Sequence, residues 1–93
     1  MQATWHGTVI AESGDTIEKH GYTYFPRHSV RMDLLTMAAK SESDLECPHG
    51  VQFYDVAVKG KRAERAAWSY EKPKKSMQKV DHWVSFWDEV TTK

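Results

Sequence analysis

Residues 51–58 read Val-Gln-Phe-Tyr-Asp-Val-Ala-Val, a run in which five of eight residues are β-branched or aromatic and none is glycine or proline. Such a run favours an extended strand. Tyr54, Val56 and Val58 fall on one face and Val51, Phe53 and Ala57 on the other, so both faces are expected to be at least partly buried. Lys59-Gly60-Lys61 turns the chain. Ala66-Ala67-Trp68-Ser69-Tyr70 then returns as a second strand, presenting Ala66, Trp68 and Tyr70 together before Pro73 ends it.

Upstream, Trp5 to Ala11 reads as one strand, with Trp5, Gly7, Val9 and Ala11 on one face and His6, Thr8 and Ile10 on the other. Ser13-Gly14-Asp15 supplies a turn, and Thr16 to Lys19 is expected to return as the second arm of a hairpin. His20-Gly21 marks a further reversal into Tyr22-Thr23-Tyr24-Phe25, closed by Pro26. Ser29 is placed to cap a short helix through Leu35. Thr36 to Glu46 lacks a period and reads as a loop with Leu45 anchored inside. Met77, Val80, Val84 and Trp87 follow spacings of three, four and three, which suits a C-terminal helix from about Ser76. Trp83 to Trp87 is equally compatible with a strand. The expectation is one mainly β domain over 1–93, with a short helix after residue 29 and a C-terminal helix.

Ninety-three residues are too few to divide into two cored domains. Four Trp, four Tyr and three Phe must supply much of the core. The single cysteine, Cys47, cannot form an internal disulfide, and the start Met1-Gln2-Ala3-Thr4-Trp5 has neither a basic segment nor an apolar run. No stretch approaches a membrane span, so a cytoplasmic protein is expected. Charge balances at zero but unevenly. Residues 1–58 hold four Lys/Arg against eight Asp/Glu, whereas residues 59–79 hold eight against two. That basic segment suits phosphates or an acidic partner. Overall neutrality argues against dedicated nucleic-acid binding.

Several short motifs recur in a fixed order along the chain. They are Thr4-Trp5-His6-Gly7-Thr8-Val9-Ile10-Ala11-Glu12-Ser13, Tyr24-Phe25-Pro26, Cys47-Pro48 with Gly50, Tyr54-Asp55-Val56, Ala67-Trp68-Ser69-Tyr70 and Phe86. In order and spacing this series resembles the bacterial domain-of-unknown-function family 427, also filed under a nucleotidyltransferase heading, over about residues 3–90. The resemblance implies a small tent-like antiparallel β domain (β-tent), of the kind shared with small zinc-binding domains and B-type methionine sulfoxide reductases. The Cys47–Asp55 stretch is about two residues shorter than the family pattern and lacks its lysine, so no role of that lysine transfers.

The chemistry legible in the residues is limited. Nucleotidyl transfer needs carboxylates for magnesium and usually a glycine-rich phosphate cradle, and the glycines at 7, 14, 21, 50 and 60 are dispersed at turns. Whether the chain is an enzyme therefore stays open. Cys47 and His49 are the candidate catalytic pair, set against a buried, inert cysteine. They are too few for structural zinc, so neither metal nor cofactor is expected. Asp55 within a strand suits a hydrogen-bonded structural carboxylate. Trp5, Tyr24, Trp68 and Tyr70 are candidates for an aromatic-lined pocket holding a small planar or anionic ligand, with Arg27 or Lys59 at its mouth. The same rings would also serve as core. The alternative is a protein-interaction module using segment 59–79 or exposed C-terminal aromatics.

Overall fold

In the computed structural model, which describes residues 1–93, nine strands and one short α-helix follow one another. The strands are β1 (Gln2–Trp5), β2 (Thr8–Glu12), β3 (Ile17–Lys19), β4 (Tyr22–Tyr24), β5 (Leu35–Met37), β6 (Val51–Val58), β7 (Lys61–Tyr70), β8 (Val84–Phe86) and β9 (Thr91–Thr92). The helix α1 spans Glu42–Glu46, and three 3-10 turns cover Arg27–Ser29, Met32–Leu34 and Lys75–Val80. All strand pairs are antiparallel, in sheets ordered β2-β1-β9, β3-β4 and β5-β6-β7-β8. The fold is mainly β, as the sequence implies.

Three reversals share one device. His6-Gly7, His20-Gly21 and Lys59-Gly60 are two-residue turns in which both residues have positive φ, between +48° and +84°. They join Trp5 to Thr8, Lys19 to Tyr22 and Val58 to Lys61 as cross-strand neighbours. A two-residue hairpin with this backbone matches the right-handed twist of its strands, and glycine carries the second position at little steric cost. The first turn corrects the expectation of one strand from Trp5 to Ala11: the chain folds back on itself at His6-Gly7. Consequently β2 pairs with β1 and not with β3, and the expected hairpin across Ser13-Gly14-Asp15 does not form.

The central sheet carries a core on each face. Alternation along β7 and its register with β6 and β8 place Trp68 and Tyr70 on one face with Val51, Phe53 and Ser85. There they meet Tyr24, Met77 and Val80. The other face holds Tyr54, Ala67, Val84 and Phe86, packed with Ile10, Phe25 and Val56 in the larger core. The two-faced burial expected for residues 51–58 is present, except that Ala57 is exposed.

Two helical expectations and one loop are corrected. The Ser29 stretch forms two 3-10 turns, and the Ser29 hydroxyl donates to the Pro26 carbonyl instead of accepting at a helix start. The supposed loop 36–46 contains β5 and α1. Ser41 caps α1 by accepting from the Asp44 amide, and the Asp44 carboxylate accepts from the Ser41 amide. Leu45 is 71 % exposed, because burial on this helix goes to Asp44. The C-terminal helix is a six-residue 3-10 turn followed by strand β8. Met77 and Val80, three apart, suit the three-residue repeat of a 3-10 turn. Val84, Ser85 and Phe86 then pair with Ser69, Trp68 and Ala67.

Candidate functional site

The aromatic candidates divide between the two cores. Tyr24, Trp68 and Tyr70 come together: Tyr24 lies 6.3 Å from Trp68 and 6.2 Å from Tyr70 between ring centroids. Tyr22 and Trp87 close on Trp68 at 4.9 and 4.6 Å. These rings fill one another's space, leaving Tyr24 1 % and Trp68 3 % exposed. Burial pushes the Tyr24 phenol well above the ordinary tyrosine range. Trp5 is elsewhere, packed against the larger core with its ring on His6. Lys59 sits in the β6–β7 turn, six residues along β6 from Phe53, the cross-strand partner of Trp68. At about 3.3 Å per residue that is roughly 20 Å.

Cys47 and His49 make no hydrogen bond with one another. The Cys47 amide donates to the Asp44 carbonyl at the end of α1. His49 Nδ1 accepts from the Lys74 amide at 2.8 Å, and its ring rests 5.1 Å from that of Tyr70.

Arg27 has the richest setting. It follows the buried Pro26, and its guanidinium reaches the end of the central sheet opposite the β6–β7 turn. Nη2 donates to the Tyr54 hydroxyl at 3.0 Å, and Nη1 donates to the His82 carbonyl at 3.1 Å. Ser69 Oγ donates to Glu71 Oε2 at 2.6 Å, so the Tyr54–Ser69 contact of 3.1 Å must run from the Tyr54 hydroxyl to Ser69 Oγ. Glu71 Oε2 lies 3.6 Å from Arg27 Nη1 and closes the circuit.

The result is a ring, Arg27 to Tyr54 to Ser69 to Glu71 and back, in which every hydroxyl proton has one direction. Tyr54 is 2 % exposed and Ser69 fully buried, whereas the side chains of Arg27 and Glu71 are 38 % and 29 % exposed. The neutral links are therefore internal and the charged members reach solvent. His82 adds its Nε2 at 3.7 Å from Glu71 Oε1, and its Nδ1 faces Asp81. Only two of the five N–H donors of Arg27 are used in hydrogen bonds to the protein. Such a guanidinium, oriented from behind with donors to spare, is suited to a planar carboxylate or another oxyanion. Ser69 is too deeply buried to act as a nucleophile.

Sequence reasoning named Arg27 but missed Tyr54, Ser69, Glu71 and His82. Tyr54 and Ser69 lie inside the motifs Tyr54-Asp55-Val56 and Ala67-Trp68-Ser69-Tyr70, and a hydroxyl facing a core was the available signal. Glu71 and His82 carried none.

A small antiparallel β domain with two cores, and one half-buried Arg-Tyr-Ser-Glu ring at the end of its central sheet, is the class of protein these features define. The family model for "Domain of unknown function (DUF427)", named NTP_transf_9, matches residues 1–93, and the chain belongs to this family. No curated protein matches the chain.

Proposed function

We propose that this domain binds a small anionic ligand, most simply a carboxylate, at the solvent-facing edge of Arg27. The observation carrying this reading is the guanidinium held by Tyr54 and the His82 carbonyl and ion-paired to Glu71, with N–H donors to spare beyond these contacts. Fixing the fork in advance reduces the side-chain entropy lost on binding. The closed packing of Tyr24 and Trp68 supports a structural role for these rings beneath the site, in place of a lining role. The chemistry supports binding more than catalysis, since no accessible nucleophile belongs to the ring. The tent-like architecture implied by the family resemblance fits the antiparallel sheets, and a cytoplasmic setting fits the free Cys47.

A thermal-shift screen of small carboxylates and phosphates tests this reading. Stabilisation by members of the set is expected for the wild-type protein and is lost in a folded Arg27→Gln variant. Equal stabilisation of both proteins would refute it.

A further inference from the structure

The eight basic residues of segment 59–79 do not form one patch. Strand β7 separates them by ten residues, about 30 Å of extended chain. Arg62 pairs with Asp55 and Arg65 with Asp44, so two of the charges near the first end are neutralised. At the other end Lys72, Lys74, Lys75 and Lys79 are exposed, and none makes an ion pair. Lys19 joins them from β3, its Nζ donating to the Ser76 carbonyl at 2.6 Å.

The frame beneath these lysines is fixed. Met77 and Val80 point inward at 3 % and 0 % exposure and lock the 3-10 turn under the Trp68 layer. With a three-residue repeat, residues 75 and 78 form one outward column and 76 and 79 another. Glu71 and Asp81 bound the segment, but both are turned toward the Arg27 ring and His82. The turn itself, Lys75–Val80, contains no carboxylate.

We propose that the Lys72–Lys79 face, with Lys19, docks a short acidic peptide segment of a partner protein. Six residues of 3-10 turn are about 12 Å long, matching roughly four extended peptide residues. Charge complementarity suits an acidic peptide, and the zero net charge of the domain argues against a nucleic acid, for which a basic domain is expected. The face is distinct from the Arg27 edge and does not depend on the ligand reading.

The test is fluorescence anisotropy with labelled hexaglutamate at about 50 mM salt, where surface charges are weakly screened. Binding is expected, falling steeply toward about 0.5 M salt. The combined Lys74→Gln, Lys75→Gln and Lys79→Gln variant should weaken it about tenfold, the sum of several modest surface pairs. Lys59→Gln with Lys61→Gln, and separately Arg27→Gln, should leave it within about twofold. An oligothymidylate of equal charge binding more tightly than the peptide would overturn the proposal. So would an equal loss in the Lys59/Lys61 variant, or no peptide binding at low salt.

Discussion

Asp55 accepts the backbone amide of Arg65 on Oδ1 at 2.9 Å, at a residue whose φ is +53°. Register passes from Tyr54↔Ala67 to Val56↔Ala63, so β7 uses four steps where β6 uses two. The bulge leaves an amide without a ladder partner, and Asp55 supplies one while Oδ2 accepts from Arg62 Nε. A carboxylate on β6 thus holds the irregularity of β7.

Asp55→Ala is expected to destabilise the domain by about 2–4 kcal/mol, since it strands the part-buried Arg65 amide and removes a charge-assisted bond. Asp55→Asn should cost less, because its carbonyl oxygen still serves Arg65. Urea unfolding of the two variants checks the order, and equal losses would contradict the role given to the Arg65 amide.

Acid should unfold the protein by way of Asp44 and Asp55. The hydrogen bonds from Arg65, outweighing desolvation, hold the Asp44 carboxyl at about 2 in place of its ordinary 3.8. The Arg65 amide, followed by Arg62, lowers Asp55 as well. Depressed folded-state values give stability that is complete above about pH 5 and is lost as pH falls through the ordinary carboxylate range toward 2. Urea midpoints at neutral pH and at about pH 3 should differ less in Asp44→Asn than in wild type.

Alkali acts through Tyr24. Its phenol is raised by burial, so the folded state keeps a proton that the unfolded chain releases near pH 10. Stability is full below that value and declines above it. Absorbance titration should show Tyr24 ionising only together with loss of the fold, and early ionisation in the intact domain would oppose this.

Trp68→Ala should cost about 3–5 kcal/mol by opening a cavity among Tyr22, Tyr24, Phe53 and Trp87. Trp68→Phe should remain folded and bind small anions like wild type. Loss of anion binding in that folded variant would return the ring to the ligand site.

The β6–β7 hairpin was legible in the sequence because its signals are local: two-residue alternation and the Lys59-Gly60 turn. The break at His6-Gly7 carried the same x-Gly signature but was hidden by apolar alternation that runs through it. Ser41 and Asp44 formed a readable capping pair inside the stretch taken for a loop. Met77 and Val80 could not decide between helix types, since a spacing of three fits both. The Arg27 ring was not legible, because Tyr54 lies 27 positions away and His82 55 positions away. The sheet register, with the Phe25–Val84 and Tyr70–Asp81 bridges beside it, brings them together.

The central claim is that Arg27 offers free donors to an anion at the edge of the sheet. Its most direct test is two-dimensional NMR of the arginine Nε–H and backbone amides during titration with acetate and then phosphate. Saturable shifts at Arg27, Glu71 and His82, absent in folded Arg27→Gln, are the predicted result. Shifts confined to Lys72–Lys79, or unchanged in Arg27→Gln, would contradict it.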